Sequence, residues 1–453
     1  MLRALVRFVT LIILSGVLVV RPVMAQAILR DAETESLFRD MAKPIVIAAG
    51  LDPRNVQIVL IGDPEINAFV AGGQTVYIHT GLILAADNIN QVQGVVAHEI
   101  GHITGGHAVR FGEGMKAATG ITLLSLLLGV AAMAAGGGEA GMGIISAGQQ
   151  AAMGKFLAFS RNQEASADAA GVSFLNKAGI SGKGMLDFFG KLRKEEYRLS
   201  SSYADTDPYA QTHPMSADRQ ATLEHDIKAS PAWGAKTDPA LDVRFQRVKA
   251  KLAGYVQEPE QTFREYPESD HSLYASYARA YAWHHAAYPD KANAEIDRLI
   301  AAAPHDPYFL ELKGQILLES GKPRDALPAL REAVQQSNNE PLIAALFGHA
   351  LIATEDPANF DEARKVLRLT VQRDNENPDA WYQLGIIYEH DGDHARAALA
   401  TAERYNLEGV PQLALGPAQA AVAGLPPGTP DWLRAQDIVM VSKTALEDRK
   451  HKK

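Results

Sequence analysis

Asn90-Gln91-Val92-Gln93-Gly94-Val95-Val96-Ala97-His98-Glu99-Ile100-Gly101-His102 is the stretch on which the reading of this chain turns. Val92, Val95, Val96, Ile100 and, just beyond, Ile103 recur at helical spacing, and Asn90 with Gln93 three residues later makes a capping pair, so a helix is predicted to follow Asn90. His98 and His102 then stand one turn apart and send both imidazoles from one face toward a common point, as a tetrahedral zinc ion requires of two nitrogens. Glu99 lies about 100° further round the helix. It is too far round to ligate with the histidines, yet placed to take a proton from a water at the ion.

The motif alone is moderately specific, so the rest of the ligand set matters. A third histidine six residues after His102 would complete one family of such sites, but that position is Ala108. His107 falls one place early, about 100° off any continuing helix, and reads as a structural or surface histidine. A better source is Ser160-Arg161-Asn162-Gln163-Glu164-Ala165-Ser166-Ala167-Asp168. Glu164 and Asp168 are again one turn apart, so one can bind a metal while the other orients a histidine or handles a proton. The small residues from Ala165 to Gly171 suit a helix packed closely on another.

Thr75-Val76-Tyr77-Ile78-His79, after the turn residues Gly72-Gly73, is predicted as a strand, and as the edge strand that aligns an extended substrate. The stretch 117–135 carries no charge and is long enough to span a bilayer. Its Gly and Ala content also suits a helical lid or a membrane-surface contact, and these readings stay open.

Arg3 and Arg7 ahead of an apolar run from Phe8 to Val20, ending in Val23-Met24-Ala25, form a signal peptide cleaved after about Ala25, which places the mature chain in a periplasm. The chain has no cysteine, which excludes a disulfide framework and thiolate metal sites. Without the leader, 41 Lys+Arg face 53 Asp+Glu, a formal charge of −12, and nucleic acid is excluded as a partner.

Texture changes near residue 265. Asp306-Pro307, Glu340-Pro341 and Asn377-Pro378 punctuate an Ala-rich helical region with proline spacings of 34 and 37 residues, and 34 is the tetratricopeptide period. Leu273 to Ile300 reads as an earlier, degenerate unit, and Pro430 to Leu446 as a capping helix. Helix pairs of this kind stack and leave a concave groove that holds peptides or partner helices, or else the array props up the first domain.

The His98 to His102 motif, the Ser-Arg-x-x-Glu-x-x-x-Asp segment, Thr212-His213-Pro214 with Arg219, and Asn67 to Gly73 leading into Thr80-Gly81-Leu82 together resemble the HtpX and CAAX-prenyl-protease-like gluzincins, over about residues 30 to 225. The resemblance implies one Zn2+ per chain on His98, His102 and Glu164, with Glu99 as catalytic base and Asp168 as proton donor. Gln91 departs from relatives that carry an acid there, which puts a helix-end contact in doubt. With a leader and repeats, the chain is similar to a periplasmic branch of that family, which implies quality control of outer-membrane β-barrel proteins and contact with their assembly machinery through the groove. The rival function is a chaperone or scaffold with a vestigial metal site. His213 is expected on a loop over the metal, either as an oxyanion donor or as an inhibitory fourth ligand.

The expected fold is thus mainly α: a leader over 1–25, an α+β zincin-like metalloprotease domain with a small sheet over 26–265, and an all-α tetratricopeptide-repeat solenoid over 266–453.

Overall fold

The computed structural model describes residues 28–134, 138–200, 213 and 217–451. The leader expected over residues 1–25 lies outside them. The first region opens with β1 (Ile28–Leu29), α1 (Ala32–Ala48), β2 (Gln57–Ile61), β3 (Ala68–Ala71), β4 (Thr75–His79) and α2 (Thr80–Ala85). There follow α3 (Ile89–Thr104), α4 (His107–Ala134), α5 (Gly138–Lys177), α6 (Lys183–Ser200), α7 (Ala217–Ala229), α8 (Pro239–Val256) and α9 (Pro259–Glu265).

The sheet order is β1-β2-β4-β3. β4 pairs in parallel with β2 and antiparallel with β3, so it is an inner strand, and the edge reading of Thr75 to His79 is corrected. The turn at Gly72 and Gly73, both at positive φ, folds β3 outward from β4 and leaves β3 at the rim. The strand's own alternation could not reveal this, because pairing to β2 joins residues that are distant in sequence.

α3 is buried along its whole length from Ile89 to His102. Its cap is Asn88, whose side chain accepts from the Gln91 amide. Asn90 instead ties two helices together, donating to the Ser181 carbonyl and accepting from the Gly184 amide. Gln91 supplies the doubted helix-end contact: its amide donates to Asp87 Oδ2, and its oxygen accepts from the Asp87 backbone. α5 crosses α3 so closely that a Cβ on Gly101 would stand 2.6 Å from the Ala167 carbonyl oxygen.

α4 and α5 form a long hairpin. Ser125, Gly129, Gly141 and Gly148 make the seam between its helices. Leu123, Leu124, Leu126, Leu127, Leu128 and Val130 face outward and are exposed. No helix among the described residues is long and apolar enough to cross a membrane.

The solenoid comprises α10 (Leu273–His285), α11 (Pro289–Ala302), α12 (Pro307–Glu319), α13 (Pro323–Gln336), α14 (Pro341–Ala353) and α15 (Phe360–Arg373). It continues through α16 (Pro378–His390), α17 (His394–Leu407), α18 (Pro411–Gly424) and α19 (Pro430–His451). Asp306, Glu340 and Asn377 cap α12, α14 and α16 through their side chains, and the following prolines take the first helical position, where a missing N–H is harmless. The repeats also hold the first domain. Ala32 is buried in the core that contains Leu310, Ile343 and Phe347. Glu33 accepts from the Tyr277 hydroxyl at 2.9 Å and pairs with Arg247 at 2.9 Å, while Arg247 reaches Asp306 at 2.6 Å. Lys251, buried, pairs with Asp31. Part of the solenoid surface is therefore filled by the chain's own α1.

Candidate metal centre

His98, His102, Glu164 and His213 converge, with their ligand atoms all within 4.8 Å of one another. α3 supplies the first two and α5 the third. His213 sits in a bend, and its neighbours 201–212 and 214–216, the loop expected around it, lie outside the described residues. His98 Nε2 is 3.1 Å from His102 Nε2, 3.4 Å from Glu164 Oε2 and 3.3 Å from His213 Nδ1. His102 Nε2 is 3.4 Å from Glu164 Oε1, and His213 Nδ1 is 3.1 Å from both Glu164 oxygens. Edges of this length leave a centre roughly 2.0 Å from each atom, the reach of a zinc–nitrogen or zinc–carboxylate bond.

Each histidine of α3 is held from behind. Asp168 Oδ1 lies 3.0 Å from His98 Nδ1, and Arg219 grips the same carboxylate with two nitrogens. Arg219 also reaches Glu164 Oε2 at 2.9 Å. His107 Nδ1 lies 2.9 Å from His102 Nδ1. His107 is thus buried and structural, not a surface residue, and Gly105 leaves room for its ring, since a Cβ there would meet it at 2.3 Å. Sequence spacing excluded His107 as a ligand but held no sign that it backs one. Asp168 stands on the far side of His98 from the convergence point. That position suits orientation of the ring rather than the proton-donor role that the resemblance implied.

The electrostatics are those of a cation site. Burial opposes charge on His98, but hydrogen bonds and charges from Asp168 and Glu164 outweigh it and raise the imidazole to about 9. His102 is pushed down to about 2, by burial and then by the charge of His98. Burial works to raise Glu164, yet His213 and His98 hold it well below the usual carboxylate range. Glu99 goes the other way: burial raises it, and its two oxygens are enclosed with no hydrogen-bond partner. An orphaned carboxylate, 3.7 Å from His213 Nε2, is the feature that a water held at the centre would satisfy. The residues present therefore fit a tetrahedral divalent ion.

Residues 29–227 match peptidase family M48, and residues 287–341 and 357–412 match the tetratricopeptide repeat. The chain is 26% identical over 365 residues to the beta-barrel assembly-enhancing protease of Yersinia pestis, covering 79% of this chain and 72% of that one. It is 35% identical over 182 residues to the metalloprotease LoiP of Escherichia coli (strain K12), covering 39% of this chain and 64% of that one. Among solved structures, the crystal structure of YrrB, a tetratricopeptide-repeat protein with an unusual peptide-binding site, matches 39% of this chain and 91% of its own at 22% identity, with a TM-score of 0.32.

Proposed function

We propose, from the premise that residues 29–227 are a peptidase family M48 domain carried ahead of tetratricopeptide repeats, that this chain is a zinc-dependent endopeptidase of the periplasm. His98, His102 and Glu164 would hold the ion. Bound there, zinc would supply Lewis acidity, polarising a scissile carbonyl and lowering the pKa of water toward about 7. Glu99 takes the proton of the attacking water, since its carboxylate is buried beside the convergence point and otherwise unsatisfied. Asp168 and His107 position the two imidazoles. What carries this reading is the set of 3.1–3.4 Å ligand separations next to an orphaned Glu99.

His213 acts as a latch in this reading. Its Nδ1 fills the fourth corner of the ligand set and its Nε2 faces Glu99, so the place a substrate carbonyl or a water needs is taken. The substrates are outer-membrane β-barrel proteins, assisted in assembly or degraded when stalled, a reading supported by the likeness to an assembly-enhancing protease. Partners engage the solenoid surface beyond the part that α1 occupies, and the exposed leucines of α4 contact a membrane surface. The likeness of 1–25 to a leader supports export. The scaffold alternative has no use for a buried Glu99.

Metal analysis with casein digestion tests the reading. Glu99→Gln should keep its zinc and lose about 10²–10⁴-fold in rate, the range for removal of a general base. His98→Ala should lose both zinc and rate. His213→Ala should digest faster than the native chain at equal zinc content; slower digestion would assign it to the oxyanion instead. Full proteolysis by Glu99→Gln would end the proposal.

A further inference from the structure

A second cluster with metal-ligand chemistry lies apart from the convergence point of α3 and α5. Asp63 and Glu65, on the loop between β2 and β3, meet His79 at the end of β4, and their ligand atoms lie within 4.8 Å of one another. His79 is 1% exposed, and its ring nitrogens find at most the Glu65 backbone carbonyl, with no side chain at hydrogen-bond distance. A single carbonyl leaves at least one nitrogen of a buried imidazole unsatisfied, which is costly unless something else completes it. Its Nδ1 stands 3.6 Å from Asp63 Oδ1. That is beyond a hydrogen bond, yet it is near the roughly 3.3–3.6 Å that separates two ligands on one tetrahedral ion with bonds of about 2.0–2.2 Å.

We propose that Asp63, Glu65 and His79 form a second, structural site for a divalent transition-metal ion, independent of the catalytic reading. The cluster is built rather than incidental. The Asp63 carbonyl accepts from the Gly81 amide at 3.0 Å and from the Thr80 hydroxyl at 2.7 Å, and Asp63 Oδ1 accepts from the Glu65 amide at 2.9 Å. Gly81 lets this loop close on α2, because a Cβ there would stand 2.1 Å from the Pro64 carbonyl oxygen. Burial lowers His79, keeping it in the neutral form that ligates. Two carboxylates with one imidazole suit zinc or manganese. Bound there, the ion pins the loop that leads into β3, the rim strand, to the end of the inner strand.

The test uses the full chain carrying His98→Ala and His102→Ala, which silences the first centre. After loading with zinc and dialysis against a chelator of moderate affinity, elemental analysis should find about one zinc per chain, and zinc should raise the Tm. Adding His79→Gln should abolish both effects, with an unchanged circular dichroism spectrum. Should that triple variant not fold, Asp63→Asn in the same background gives the same reading. A double variant without zinc, or zinc retained after His79→Gln or Asp63→Asn, overturns the site, and neither result bears on proteolysis at the first centre.

Discussion

α3 and α4 follow one another in the chain, parted only by Gly105 and Gly106, and both are rich in apolar residues. One is enclosed on every side, whereas the other shows a run of leucines to solvent. α3 is covered by α1, α5, α6 and the sheet, and that enclosure is what makes its glutamate orphaned and its imidazoles fixed. Beyond the contact of His107 with His102 at its start, α4 among the described residues packs mainly on α5, across a seam of small residues. Composition alone does not say what covers a helix. A leucine left wholly uncovered forgoes about 1.5–3 kcal/mol that burial would contribute, so five neighbouring leucines, each about half exposed, with Val130 beside them, mark an apolar surface.

The hardest blow to this contrast is a methyl group at the crossing of α3 and α5. Gly101→Ala should destabilise the first domain by about 3 kcal/mol or more, because the Cβ meets backbone that cannot rotate away. The same change at Gly120 on α4, where nothing lies within 4 Å, should leave stability level or improve it by about 0.5–1 kcal/mol. Thermal unfolding of the two variants decides it, and equal losses would mean that the two helices are covered alike.

A second test asks what covers α4. Leu124→Asn with Leu127→Asn should weaken cosedimentation with phospholipid vesicles about tenfold or more, since two buried leucines are lost from the lipid side. Casein digestion in solution should stay as in the native chain. Unchanged sedimentation would show that lipid is not the covering.

The smallest expected effect sharpens the comparison at the solenoid junction, where burial falls on a carboxyl. Glu311 is raised to about 8 by burial, against the pull of Lys251. A folded-state value above the unfolded one means that the native state holds the extra proton, so this stability is present below about 4.3 and is lost as pH rises toward 8. Glu311→Gln cannot lose a proton. Its Tm should exceed that of the native chain by about 2–4 °C at pH 8 and by less at pH 5. A gain that does not grow with pH would show that Glu311 is ionised in the fold.

What the sequence made legible was local. His98 with His102 and Glu164 with Asp168 are single-turn pairs, so their shared faces follow from helix geometry before any packing is known. The proline punctuation likewise marked the starts of α12, α14 and α16, because capping chemistry needs only the residues beside it. Long-range choices were not legible. Asn90 looks like a cap and serves as a bridge to α6, and β4 looks like an edge until β2 is seen beside it. His107 carries no mark of its role, since that role depends on where the turn after α3 points its ring.

The lodging of α1 in the repeats sets an order in time. Arg30 meets Asp374 across 344 positions, and Glu33 meets Tyr277 across 244. A chain emerging from its N-terminus makes the start of α1 early and its partners late, so loop closure between them waits for most of the synthesis. The opening turn of the peptidase region is consequently among the last parts of the molecule to become fixed.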